Sequence, residues 1–272
     1  METKNLSPET PRPEPSFHKD NLPDNGSEKP FLEHIRELRK RLLICVVSIL
    51  VLAFIFLAAL GDRLMLLVTA PVNALGIQFV YVGLAEALTS QMKVALIAAI
   101  IVAAPILLWQ VWKFVQPGLF PREQKDVLLF GSISLLLFIA GILFGYAIVF
   151  LAAITFFVSV GQNFATPMLS IDSYVNFLLG FVVPFGVAFQ LPVALYFLAK
   201  AGVVNGEMLV SGRRYAILLI AIVSAILTPP DVLSQLLMAG PLIVLYEAGV
   251  RVVRYTEKKR LAAFGSAPHP GE

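Results

Sequence analysis

The residues in this chain whose type and spacing suit them to chemistry are carboxylates and amides set beside long apolar blocks. Residues 31–42 read Phe-Leu-Glu-His-Ile-Arg-Glu-Leu-Arg-Lys-Arg-Leu. Phe31, Ile35, Leu38 and Leu42 fall at i, i+4, i+7 and i+11, one stripe of a helix, and Glu33 and Glu37 share another face. Glu37 is spaced to pair with Arg41 four residues on, a contact worth a few tenths of a kcal/mol. The same carboxylate at a headgroup boundary is equally able to bind a cation from outside the chain. Glu123 follows Pro121 in a stiff turn opened by Gln116-Pro117-Gly118, where a carboxylate complements the first turn of a helix. Gln190 stands between Phe189 and Leu191-Pro192; a buried amide needs partners, so it is predicted to face another helix or a wet cavity. Asp231 is placed to cap a helix, and Glu247, one turn before Arg251, to form a snorkelling pair with it.

Other chemistries find no support. Cys45 is the one cysteine, which excludes an internal disulfide framework and a cysteine metal site. His18, His34 and His269 are too scattered for a metal cluster. Ser132, Ser134, Ser224 and Ser234 are hydroxyls within apolar blocks, but no histidine lies in any block to act as their base. Neither a Gly-x-Ser-x-Gly nor a His-Glu-x-x-His nor a phosphate-cradling glycine loop is present. No enzyme activity, cofactor or metal is therefore expected. A net charge of +3 indicates no nucleic-acid partner. Gln190 between two prolines also fits a broken-helix substrate site, so a small-molecule secondary transporter is the alternative reading. Such folds usually carry internal repeats, and none is visible here.

The elements that must position these groups are membrane helices. Of 272 residues, 58% are hydrophobic and 14% charged, against about 25% charged in a soluble domain. Six apolar blocks follow one another: Leu42–Leu60, Val94–Trp112, Val127–Val160, Tyr174–Ala199, Tyr215–Thr228 and Val232–Tyr246. The second ends in Trp109 and Trp112, as interfacial anchors do. The third, 34 residues without a charge, is too long for one upright span and must tilt or continue past the membrane surface. Its Gly141 and Gly145 have the spacing that permits close helix packing. The fourth is bent by Pro184 and Pro192. The last two, with 14 and 15 residues, fall short of the hydrocarbon thickness and are either short spans or a re-entrant hairpin.

Nineteen of the 21 lysines and arginines lie before the first block, in 113–126, in 200–214 or after 250; Arg63 and Lys93 are the exceptions. The positive-inside rule then places both termini in the cytoplasm. Residues 1–30 hold six prolines and read as a disordered cytoplasmic tail. Residues 31–255 form the membrane domain, opened by an interfacial helix, and 256–272 form a second disordered cytoplasmic tail. The first apolar block begins at 42 and is too long for the core of a cleavable leader.

The arrangement resembles the TatC subunits of twin-arginine protein translocases over roughly residues 30–255. The resemblance rests on the 31–42 segment, Ala104-Pro105-Ile106-Leu107, Trp109-Gln110-Val111-Trp112-Lys113-Phe114, Pro117-Gly118-Leu119 through Glu123, Phe185-Gly186-Val187-Ala188-Phe189-Gln190-Leu191-Pro192 and Leu227-Thr228-Pro229-Pro230-Asp231. It implies an all-α, cup-shaped bundle of six transmembrane helices in the bacterial cytoplasmic membrane, with helices five and six short. It also implies a receptor for twin-arginine signal peptides of folded cargo, driven by the proton-motive force. TatA-type and TatB-type single-span partners and self-association come with it. Within it, Glu37 and Glu123 match the carboxylates that hold the arginine pair, and Phe114, Leu38 and Arg39 match positions lining that region. Gln190 matches a membrane-buried polar position that is glutamate in many relatives; the amide keeps hydrogen bonding but drops the titratable proton. Leu227, Thr228, Asp231 and Gln235 match the end of the last hairpin, where partner helices dock. Family members often show Pro-x-Glu-x-Phe in the outer loop; Leu84-Ala85-Glu86-Ala87-Leu88 keeps the glutamate and loses the proline and phenylalanine.

Overall fold

The computed structural model describes residues 28–74, 76–115, 127–161 and 168–265. Helix α1 runs without a break over Glu28–Asn73. At about 1.5 Å per residue it is far longer than the hydrocarbon core, so it spans and continues beyond it. The 31–42 stripe is thus the first part of a continuous helix, not a separate interfacial one: no Gly or Pro separates it from the apolar block, so nothing ends the helix there. Most apolar side chains over residues 35–55 of α1 are exposed, as with Phe54 at 74%, whereas Met65 and Val72 near its end are buried in the core.

Helix α2 (Glu86–Val115) packs along α1 and carries Pro105. The third block is one helical run: α3 (Val127–Phe144), a π-helical turn at Gly145–Phe150, and α4 (Leu151–Gly161). The fourth is α5 (Ile171–Ala188) and α6 (Leu191–Lys200), separated at Phe189-Gln190 just ahead of Pro192, which has no N–H to continue the ladder. A short helix α7 (Gly206–Ser211), capped by Asn205, was not visible in the hydrophobic pattern. Helices α8 (Arg213–Leu227) and α9 (Val232–Gly265) form the final hairpin. Helix α8, at about 22 Å, is as short as expected. Helix α9 keeps its apolar part to the predicted block but runs on as helix through Gly265, past residue 256 where a disordered tail was expected. Val250 and Val253, 1% and 0% exposed and packed with Leu209 of α7, carry the helix past the apolar block, and Glu257 accepts the Gly206 N–H at 2.8 Å one turn further on. Among the described residues, α1, α2, α3–α4, α5–α6 and α9 contain stretches long and apolar enough to cross a membrane.

The main core lies between α3 and α5, where Phe150, Phe181 and Phe185 are fully buried. The glycine spacing works as predicted. A Cβ on Gly141 would stand 2.5 Å from the Phe185 carbonyl oxygen, and one on Gly186 would stand 2.7 Å from Ile142 Cδ1. The two backbones therefore touch, and only glycine fits between them. Trp109 is 44% exposed as an anchor should be, but Trp112 is 8% exposed and turns into the protein.

At the end of the bundle opposite the arginines, two loops are stitched together. Strands β1 (Phe79–Val80) and β2 (Leu169–Ser170) pair in parallel, Phe79 with Leu169 and Val80 with Ser170. Glu86 locks the pairing: its carboxylate accepts the backbone N–H groups of Val82 (2.6 Å), Gly83 (3.0 Å) and Asp172 (2.9 Å) and the hydroxyl of Ser170. Four donors on one carboxylate suit its ionised, acceptor-only form.

Candidate functional site

At the arginine-rich end, Glu37 and Arg41 form the predicted i, i+4 ion pair. Arg41 does more than pair. It is 9% exposed, donates from Nη1 to the Gln110 carbonyl of α2 at 3.4 Å, and sits 5.9 Å from the Phe114 ring centroid, within cation–π reach. This buried guanidinium fixes α1 against the last turns of α2. The Glu37 side chain remains 40% exposed, so a carboxylate held by one arginine still presents an open face. Leu38 is 47% exposed and Arg39 is exposed beside it. Arg41 thus connects Glu37 with Phe114 at the α1–α2 junction, while Leu38 and Arg39 are exposed positions that follow Glu37 on α1. Glu123 lies outside the described residues. The roles of Arg41 and Gln110 in organising the site were not anticipated; the i, i+4 spacing marked the pair but not its burial.

Gln190 meets the expectation that it faces another helix. Its Nε2 donates to the Ser134 carbonyl of α3 at 3.0 Å. Glu247 takes a different partner from the predicted Arg251: Arg213, at the start of α8, pairs through Nε with Glu247 Oε1 at 2.7 Å and through Nη2 with Oε2 at 2.9 Å. An ion pair across the hairpin, with one charge-assisted hydrogen bond from Nη2, takes the place of a pair with the neighbour on the same helix.

At the turn of the last hairpin, Asp231 caps α9 as predicted, its Oδ1 accepting Ser234 N–H at 2.7 Å. Thr228 is 6% exposed and donates to the Ser224 carbonyl at 2.8 Å, and Gln235 Nε2 donates to the Ala221 carbonyl at 3.2 Å. Leu227, Thr228 and Asp231, with Phe157 and Tyr174, line an apolar pocket of about 600 Å³. Gln235 ties α9 to α8 and does not line that pocket.

Residues 33–241 match the family model of the Sec-independent protein translocase protein, TatC. The chain belongs to the TatC family. A TatC protein of Carboxydothermus hydrogenoformans is 41% identical over 238 residues, covering 86% of this chain and 98% of that one. One of Aquifex aeolicus is 39% identical over 240 residues, covering 85% and 97%. A crystal structure of the twin-arginine translocase receptor TatC superposes with a TM-score of 0.75 at 37% identity, covering 80% of this chain and 97% of that one. The chain is therefore a multi-pass membrane component of a protein translocase, and its apolar helices have the TatC fold.

Proposed function

We propose that this chain is the receptor for twin-arginine signal peptides in a translocase that exports folded proteins. It would sit in the bacterial cytoplasmic membrane with both termini inside, as the distribution of its basic residues supports. The family assignment supports this reading over a small-molecule transporter. The observation that carries it is the half-open Glu37 carboxylate at the α1–α2 junction. A guanidinium offers a rigid fork of donors that a carboxylate accepts in pairs, and lysine lacks the fork. Glu37 and Glu123 together would grip the two arginines, with Phe114, Leu38 and Arg39 around them. The deciding experiment compares binding of a twin-arginine peptide with its twin-lysine counterpart to the purified protein. Much tighter binding of the arginine peptide is expected; equal affinity would sink the proposal.

TatA-type and TatB-type single-span partners would dock at the last hairpin, by Leu227, Thr228, Asp231 and Gln235. Self-association of the chain fits the same reading. Residues 31–255 would form the membrane domain and the flanking tails would lie in the cytoplasm. A topology test follows. Val232 is 73% exposed at the hairpin turn, and Arg214 is exposed at the other end of α8. In a Cys45→Ser background, Val232→Cys should react with an impermeant thiol reagent added outside, and Arg214→Cys should not. The reverse pattern would invert the orientation.

A further inference from the structure

Three polar groups inside the apolar bundle are joined in series. Trp112 Nε1 donates to Ser134 Oγ at 3.0 Å, and Ser134 is fully buried. The carbonyl of the same Ser134 accepts Gln190 Nε2 at 3.0 Å. Gln190 stands at the break between α5 and α6, where the backbone ladder is interrupted. The Trp112 indole also packs on Phe197 of α6, ring centroids 4.3 Å apart, beside Val193. Helix α6 is thus held at its start through Gln190 and along its length through Trp112, with Ser134 connecting the two. The neighbours of Trp112 on α2, Gln110 and Phe114, carry the Arg41 contacts of the peptide site.

We propose that Trp112, Ser134 and Gln190 form a strut that positions α6 below the break, and that Gln190 serves it as a permanent N–H donor. The partner of Gln190 is a carbonyl oxygen, so only a donor fits opposite it. A carboxylate of the same shape would set acceptor against acceptor unless it carried a proton. What this position requires is a hydrogen to give, not a charge to titrate. Gln190 is accordingly a positioning residue: it acts on α6 through Ser134 and does not touch the peptide.

The titratable groups on the surrounding elements are few. Helix α3 carries none. On α2, Lys113 follows Trp112. On α6, Lys200 lies 5.8 Å and 5.1 Å from the ring centroids of Phe130 and Tyr196. Asp172 and Tyr174 are at the far end of α5. On α9, Glu247 is paired with Arg213 and Tyr246 donates to the Leu209 carbonyl.

Trp112 reports on the strut directly. The chain has two tryptophans, so Trp109→Phe leaves Trp112 as the sole emitter in the full-length protein in detergent. The emission of this parent should not change from mildly acidic to mildly alkaline pH. Gln190→Leu should red-shift it throughout, because the loosened α6 admits water to the indole. Gln190→Glu should match the parent at acid pH, where the carboxyl donates, and match the leucine variant at alkaline pH. Ser134→Ala should shift the emission without any titration, since the carbonyl remains. Twin-arginine peptide affinity should stay at the parent level in Gln190→Leu, while export falls. A red-shifted emission for Gln190→Glu at acid pH, where its carboxyl can donate, would overturn the proposal, and so would unshifted emission in Gln190→Leu. If Gln190→Leu does not fold, the glutamate variant still decides the matter, because its emission at acid pH is compared with that of the parent. The emission arm uses no peptide, so its failure is distinct from a failure of the receptor reading.

Discussion

Replacing Glu37 with alanine weakens binding of a twin-arginine peptide by roughly 5- to 150-fold, or about 1–3 kcal/mol. The range comes from where the carboxylate sits. Truncating one partner of a buried, hydrogen-bonded charge pair costs ~2–5 kcal/mol, whereas exposed ion pairs are worth ~0–1 kcal/mol. The Glu37 side chain is 40% exposed, between those limits. Arg41 sharpens the prediction. It is held independently by the Gln110 carbonyl and the Phe114 ring, so removing Glu37 should not collapse the α1–α2 junction. Glu37→Gln separates charge from shape: it keeps the volume and an acceptor oxygen but loses the charge, and should bind nearly as poorly as the alanine variant. Glu123→Ala should show a loss of similar size. Isothermal titration with one peptide across the three variants measures this, and unchanged affinity in both alanine variants would remove the site assignment.

Much of this architecture can be read in the chain because the membrane allows few solutions. Backbone groups in hydrocarbon must bond within their own helix, so each apolar block becomes a helix with little freedom. Composition therefore located α2, the α3–α4 run and α8 closely. What it could not locate depends on contacts between segments far apart in sequence. The extension of α9 is hidden from hydropathy because residues 251–260 carry five Lys or Arg and one Glu; it is held by Val250 and Val253 on one face, which need α7 to be recognised as a core. Glu86 gave the weakest motif and turned out to be the most heavily bonded carboxylate among the described residues, because its donors come from its own loop and from a loop 84 residues away. The same holds at the candidate site. Spacing alone predicted Glu37 with Arg41, a local pair. The burial of Arg41 against Gln110, and the choice of Arg213 rather than Arg251 by Glu247, are decided by tertiary packing.

Gly141→Leu should prevent accumulation of folded protein, and even Gly141→Ala should lower the thermal midpoint. Alanine favours a helix over glycine by about 1 kcal/mol, so on propensity alone the second change would stabilise α3. Packing reverses the sign. The new Cβ would lie 2.5 Å from the Phe185 carbonyl oxygen and 2.9 Å from Phe189 Cβ, and a backbone oxygen cannot swing away as a side-chain tip can. Overpacking costs ~1–3 kcal/mol where neighbours can adjust, and this site belongs at the upper end of that range or beyond it. Gly240 supplies the control. It lies within α9, and a methyl added there would meet nothing within 4 Å, so Gly240→Ala should be neutral or stabilising. The two substitutions are chemically identical and both helical, so opposite signs isolate the α3–α5 contact. Thermal unfolding of both variants in one detergent decides it: if Gly141→Ala melts as high as Gly240→Ala, the two helices do not approach through this glycine. Because α5 leads directly into the break at Gln190, a wedge at Gly141 should also disturb Trp112 emission, which Gly240→Ala should leave unchanged.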